Sequence, residues 1–425
     1  MLASLSSPDT ALLDQLADIE AVGGLRERLA AVADPRCPQG LRHSLMSILL
    51  ITVCALTAGK NGYTAIGAWA RDAPAVLLAA FDVRIDPFTG RRVCPDESTI
   101  RSVMARIDPA GLAASGYAYL ADIADGRATV RLDIPNEREA RRARTAAGAA
   151  GRVDPAAATG KGYALDGKRL AGARRPDGSR VMLLSMVAHQ TGITIAQREI
   201  PSKTSEIVQA TRLLAEVDVT AAVLTLDALH TQRSTADAIV TDHHAAYVLT
   251  IKANQPHLLA AVAARFTQPN THFQADQRYA TVTDRGHGRI ERRDIRTADA
   301  HGIDFPHATQ IFQIIRRSKA LTATAWDRKE VVFGITAVPA DQTGPADLAR
   351  YARNHWSVEN RSHYVRDVTF REDASQTRTT NAPANLATLR NLVIGVFRHA
   401  GHINIAHARN LHANSYDRVR TLFNL

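Results

Sequence analysis

Cysteine is nearly absent: 425 residues contain three, Cys37, Cys54 and Cys94. An odd count at such wide spacing supports neither a disulfide framework nor a zinc site. A reducing cytoplasm is the expected location. Aromatic residues are also scarce, at 5%, so the core must be mainly aliphatic. No apolar run is long. The longest, Leu45–Ala58, has 14 residues between Arg42-His43 and Lys60, short of the ~20 that a membrane span needs. It reads as a buried helix, and no membrane partner is expected. The first twenty residues lack a basic stretch followed by an apolar one, so no signal peptide is expected. Acid is in deficit as well: 42 Asp and Glu against 52 Lys and Arg, a net charge of +10. Such a surplus points to a polyanion, since each phosphate contact releases a counterion. The bland alternative is a solvated basic surface. What remains is ordinary: 45% apolar and 22% charged residues exclude a wholly disordered or fibrous chain. At roughly 150 residues per domain, the length predicts two or three domains.

Helical periodicity dominates residues 1–130, with helices predicted over 41–58, 62–81 and 96–124. Asp96-Glu97-Ser98-Thr99 reads as a helix start, where acidic and hydroxyl groups satisfy orphan amides. Residues 131–161, rich in Ala, Gly and Arg, cannot bury a core and read as a basic linker. The pattern then changes to strands. Gly162–Asp166 and Ala221–Asp227 are apolar runs that end in an acid. Between them lie two strands joined at Gln190-Thr191, and a helix over 205–216. The last apolar run is a strand at 246–251. The order β-β-β-α-β-α-β predicts an α/β ribonuclease H-like mixed sheet. This domain occupies 162–257 and 346–400, interrupted by a β-rich insertion at 258–345 and followed by a C-terminal tail at 401–425. The all-α N-terminal unit is expected to fold separately.

Asp166 and Asp227 would lie side by side at the carboxyl edge of adjacent strands, where ligands bind in such sheets. Close carboxylates repel unless a cation neutralises them or one is protonated. Hard divalent ions suit such oxygen donors. Glu359, on a helix predicted from Pro345 to about Phe370, would complete a two-ion site able to cleave a phosphodiester. Each acid alone also reads as a cap or a salt-bridge partner.

The stretches YALDGK, TLDALHTQ and NHWSVENRSHYVRDVTFREDAS resemble the acid-bearing blocks of the DDE transposases of bacterial insertion sequences. They are most similar to the H-repeat-associated family. KTSEI, IKANQ, GHGRIE and NLATLRNL extend the resemblance over nearly the whole chain. It implies Asp166, Asp227 and Glu359 as catalytic acids and as ligands of two Mg²⁺ ions, with Mn²⁺ able to substitute. It also implies a DNA transposase that binds element ends in double-stranded DNA, hydrolyses them, and joins the 3′ ends to target DNA. A homodimer on nucleoid DNA in the cytoplasm is implied too. The alternatives are a domesticated nuclease without strand transfer and an inactive DNA-binding remnant.

His355 and Arg366, four before and seven after Glu359, match the positions of the Arg and Lys of a Tyr-Arg-Glu-Lys signature, with Tyr351 one turn back. On one helix all would share a face. The alternative for His355 and Arg366 is a helix-face ion pair. Lys168 and Arg169 either grip a phosphate or end the strand in solvent. Lys203, His230, Asn254, Gln255 and Arg289 are further candidate DNA contacts. The bland readings are a helix-start surface His for His230 and a turn for the two amides. Glu206 reads as a first-turn cap, Glu291 as an Arg partner and Trp356 as core packing rather than a base-stacking platform. Arg91, Arg92, Arg101 and Arg106 around the 96–99 helix start suggest end recognition by the N-terminal unit, with dimerisation as the competing role.

Overall fold

The computed structural model describes residues 24–39, 41–130, 161–175, 177–201, 206–267, 276–286, 288–356 and 358–425. Lys203, His287 and all but the last residue of the expected linker lie outside them.

Helices fill 25–124. Leu45–Thr57 begins at a Ser44 cap, whose hydroxyl accepts the Ser47 amide, and buries twelve of its thirteen residues. Each fully buried Leu, Ile or Val in it contributes about 1.5–3 kcal/mol. Proline sets boundaries that the periodicity missed. The expected 62–81 helix divides into Tyr63–Arg71 and Ala75–Ala80 at Pro74. The expected 96–124 helix divides into Glu97–Arg106 and Pro109–Ala124, with Asp108 capping the second. Asp96 caps the first, its carboxylate 2.7 Å from the Thr99 amide.

Nine strands form one mixed sheet in the order β3-β2-β1-β4-β5-β9-β8-β7-β6. They are β1 Gly162–Arg174, β2 Arg180–Ala188, β3 Thr194–Ile200, β4 Val223–Leu226, β5 Ala246–Ile251, β6 Arg278–Gly286, β7 Arg289–Asp299, β8 Gln310–Ala320 and β9 Arg328–Thr336. β1, β2 and β3 are an antiparallel meander; β4 and β5 run parallel to β1. The 258–345 segment interrupts the chain but not the sheet, because β9 pairs antiparallel with β5 and β8, β7 and β6 follow as hairpins.

Three expectations change. β1 does not stop at Asp166. It runs on to Arg174 because β2 pairs with it along that length, whereas its ladder with β4 ends at Leu165–Leu226. The β2–β3 connection spans 189–193 rather than two residues, with Gly192 at φ +70°. Residues 401–425 are not a tail. They form the helices Ile405–Ala413 and Tyr416–Leu422, which share one apolar core with the N-terminal helices and with Ala382–His399. Asn385 donates from that last helix to the carbonyls of Met104 and Ile107, at 2.8 and 3.0 Å. The N-terminal unit is therefore not closed on itself.

Candidate active site

Leu165 lies opposite Leu226, so Asp166 and Asp227 follow side by side where the parallel ladder ends. Asp227 caps the short turn Ala228–His230 by accepting the Leu229 amide at 3.0 Å. Asp166 accepts the Gly167 amide at 2.9 Å. Gly167 carries no Cβ for a reason: a Cβ there would lie 2.8 Å from Glu206 Oε1. Glu206 is buried and pairs with buried His230 at 3.3 Å. His230 is thus an interior partner of Glu206 rather than a phosphate contact, and Glu206 is more than a cap.

Glu359 does not sit on one continuous α-helix with His355 and Arg366. Pro345–His355 ends at Trp356, and the turns that follow are wide, with i→i+5 hydrogen bonds from Tyr364 to Glu359 and from Phe370 to Val365. Wide turns of this kind are common at functional sites. They turn Glu359, with its side chain 64% exposed, toward Asp166. A residue that the sequence reading passed over joins the two. His363 Nδ1 lies 3.1 Å from Glu359 Oε2 and 3.6 Å from Asp166 Oδ2. Asp166, Glu359 and His363 each offer a donor atom within 4.8 Å of the others. The acid-x-x-x-His spacing was the available signal.

The electrostatics match a crowded anionic site. Burial, first, and the charges of Asp227 and Glu359 push the Asp166 carboxyl up to about 6, against the opposing pull of His363. The hydrogen bond from His363 holds the Glu359 carboxyl below its ordinary value. Behind Asp227, Thr225 Oγ1 lies 3.0 Å from His189 Nε2, 3.2 Å from His355 Nδ1 and 3.3 Å from the Tyr163 carbonyl. All three are satisfied when the hydroxyl donates to the carbonyl and both imidazoles donate to the hydroxyl. Burial drives His355 down to about 4. It is therefore neutral at pH 7 and supplies no cationic charge to a phosphate. Tyr351 is buried against His189, ring centroids 6.0 Å apart, away from the acids.

Other candidates also serve the interior. Arg366 is fully buried; its Nε donates to Glu372 at 2.8 Å, and Arg390 reaches the other carboxylate oxygen at 2.8 Å. The wide turns carry it inward, away from any phosphate. Lys168 is buried because β1 continues beneath these turns, and its ammonium lies 2.6 Å from Asp367. Asn254 donates to the Ala228 carbonyl at 2.7 Å and Gln255 to that of Thr231 at 2.9 Å, so their amides brace the turn after Asp227. Arg289 is exposed and paired with Glu291 at 2.6 Å. Arg169 is exposed and makes no ion pair among the described residues. Trp356 is not core: it is 59% exposed, and Tyr364 nearby is 58% exposed.

No helix among the described residues is long and apolar enough to cross a membrane. Residues 158–395 match the family described as the transposase DDE domain, and 26–120 match its companion, described as DDE_Tnp_1-associated. The "H repeat-associated putative transposase YhhI" of Escherichia coli K12 is 23% identical over 88% of this chain and 89% of its own length. The "Putative transposase YncI" of Escherichia coli O157:H7 is 22% identical over 89% and 88% respectively. A piggyBac transposase synaptic complex with hairpin DNA is similar at a TM-score of 0.37 with 10% identity, over 91% of this chain and 82% of that one, too weak a likeness to carry an argument. With more than half of its length matched by the transposase DDE domain and relatives that span nearly all of it, the chain belongs to the DDE transposase family.

Proposed function

We propose that the protein cuts the ends of its own insertion sequence and joins the freed 3′-hydroxyls to target DNA. Three observations support this reading: Asp166 and Asp227 follow where two parallel strands stop pairing, Glu359 in the wide turns brings a donor atom within 4.8 Å of Asp166, and the charges of Asp227 and Glu359 add to burial in raising the Asp166 carboxyl. The run of β3-β2-β1 antiparallel, then β4 and β5 parallel, supports a ribonuclease H-like reading of this half of the sheet.

The donor set, carboxylate oxygens with one imidazole nitrogen, fits divalent ions. Asp166, Asp227 and Glu359 would hold two Mg²⁺, or Mn²⁺ in their place, which when bound supply charge neutralisation and water activation. The chain's own groups orient the acids. The Ala228–His230 turn, braced by Asn254 and Gln255, fixes Asp227, and His363 fixes Glu359. Exposed Trp356 and Tyr364 flank Glu359 and offer faces on which an unpaired base can stack. Joining two ends calls for two catalytic centres, hence a homodimer on DNA.

Asp166→Asn, Asp227→Asn and Glu359→Gln are each expected to abolish Mg²⁺-dependent cleavage of a duplex spanning the element's end, while DNA binding persists. Full cleavage by any one of them removes that acid from the site. Transfer of pre-cleaved ends into plasmid DNA separates a transposase from a nuclease.

A further inference from the structure

Beyond the acids the molecule carries a basic trough built from three clefts that share residues. The first, about 500 Å³, lies between Tyr63 and Arg101 of the helical unit and Arg371 and Arg378 of the segment after the wide turns. The second, about 840 Å³, shares Arg378 and reaches Arg174 at the tip of the β1–β2 hairpin. The third, about 560 Å³, shares Arg174 and adds Arg169 and Arg180. Among the described residues no Asp or Glu lines any of the three.

Arg169, Arg174, Arg180, Arg371 and Arg378 are exposed and make no ion pair among the described residues. Neighbouring arginines are neutralised, Arg101 by Glu97 and Arg175 by Glu199. Arg174 and Arg180 are moreover direct cross-strand partners. Like charges placed opposite one another destabilise a sheet, so the free protein bears a cost that a bound polyanion would remove. The trough is also held in shape. Gly172 lets the 371–380 segment press onto β1 so closely that a Cβ there would lie 2.0 Å from the Ser375 carbonyl oxygen.

We infer that this trough seats the phosphate backbone of the element-end duplex, about eight base pairs inward from the cut. The inference rests on the reading of Asp166 as part of the cleavage centre. β1 runs from Asp166 to Arg174, and eight residues at about 3.3 Å each span at most ~26 Å. At about 3.4 Å per base pair that is the length of seven or eight pairs. A duplex ending at Asp166 and lying along β1 presents its backbone at that depth to Arg174 and Arg180, and beyond it to Arg378 and Arg371.

The test is fluorescence-anisotropy binding of the full chain to a labelled duplex that ends at the element's inverted repeat, over a range of salt. Arg174→Ala/Arg180→Ala/Arg378→Ala is expected to reduce the log–log salt slope by about 2–3, at ~0.9 per lost phosphate contact. The matching triple Lys variant should keep most of the slope, which separates lost charge from lost fold. A single methylphosphonate at the seventh or eighth pair should weaken wild-type binding and leave the triple Ala variant unaffected, as coupled groups do in a double-mutant cycle. An unchanged slope in a triple Ala variant that melts like wild type would overturn the inference. So would equal weakening of both proteins by the methylphosphonate. Binding needs no catalysis, so failure of the cleavage reading shows up separately, in active Asp166→Asn protein.

Discussion

Glu372→Gln is expected to be among the costliest single changes in this chain. Glu372 stands between two buried arginines, with Arg366 and Arg390 each 2.8 Å from one carboxylate oxygen. Burial alone would raise its carboxyl, but the two guanidiniums override burial and hold it below its ordinary value. Replacing it with the near-isosteric amide leaves two cations in an apolar surrounding without an anion. Breaking a buried pair in this way costs about 3–5 kcal/mol. With about 2.1 cal/mol/K of unfolding entropy per residue, the chain loses roughly 0.9 kcal/mol per degree near its midpoint. A drop in Tm of about 3–6 °C follows at pH 7. Arg366→Met should cost less, because Glu372 keeps Arg390.

The pH dependence supplies a second check. A carboxyl that titrates lower in the fold than in the unfolded chain contributes its full stability above the unfolded value, 4.5, and loses it as pH falls through the folded one. The gap between wild type and Glu372→Gln should therefore narrow on acidification below about pH 4.5. Differential scanning fluorimetry across pH measures both effects. A shift under about 1 °C at pH 7, or a larger cost for Arg366→Met than for Glu372→Gln, would refute the reasoning. Glu372→Gln should also slow cleavage, because Arg366 anchors the turns that present Glu359.

Further outcomes follow from the same contacts. Mn²⁺ or Mg²⁺ should stabilise wild type by about 2.7 kcal/mol at a hundredfold excess over Kd, a rise in Tm of about 3 °C; the rise should vanish in Asp166→Asn, and its persistence there would place the ion elsewhere. His363→Ala frees Glu359 and should lower metal affinity or cleavage about 10–100-fold, the usual effect of losing such an orienting partner; undiminished activity in a cleavage titration would remove His363 from the site. Burial, then His355 and Arg350, drives His189 down to about 3. Its contribution is thus intact above pH 6.5 and falls away between 6.5 and about 3, so His189→Gln should flatten that acid limb of the Tm profile. A chain ending at residue 400 uncovers the apolar faces over which Ile405, Val419, Leu422 and Phe423 lie, and should lose the cooperative melt of the full chain; an unchanged melt would show those helices to be dispensable.

The acids were legible in the sequence because a buried parallel strand announces itself. An unbroken apolar run such as AAVLTLD can only lie inside an α/β sheet, and its terminal acid must then emerge at the carboxyl edge. What failed was whatever depended on the exact path of the backbone. Placing His355, Glu359 and Arg366 on one face assumed 3.6 residues per turn, and the i→i+5 turns remove that premise, sending Arg366 inward and bringing His363 onto Glu359. Lys168 reads as a phosphate grip or a strand end in solvent only if β1 ends at Asp166; the pairing of β1 with β2, which no local pattern reveals, carries the strand under the wide turns. Trp356 looked like core by residue type, but it lies at a helix end. Asn254 and Gln255 read as DNA contacts, but their amides donate to the Ala228 and Thr231 carbonyls, so they hold the turn after Asp227.

The union of the helical and sheet regions was the least legible feature, since it depends on contacts some 200 to 300 residues apart. Asn391 donates to Gln197 Oε1 on β3 at 2.8 Å and lies 3.2 Å from the Tyr117 hydroxyl. Gln197 in turn donates to Thr388 at 3.1 Å. These buried polar groups pass from the sheet through Ala382–His399 to Pro109–Ala124, beside the apolar core that the last of these helices shares with the N-terminal ones. The helical unit therefore cannot swing as a tethered reader of DNA while the acids stay still. Arg101 of the helical unit and Arg378 of the catalytic segment line one cleft because a common core holds both. The recognition and chemistry proposed above would be fixed relative to each other by this packing, and point substitutions in the trough, rather than isolated fragments, are the means to separate them.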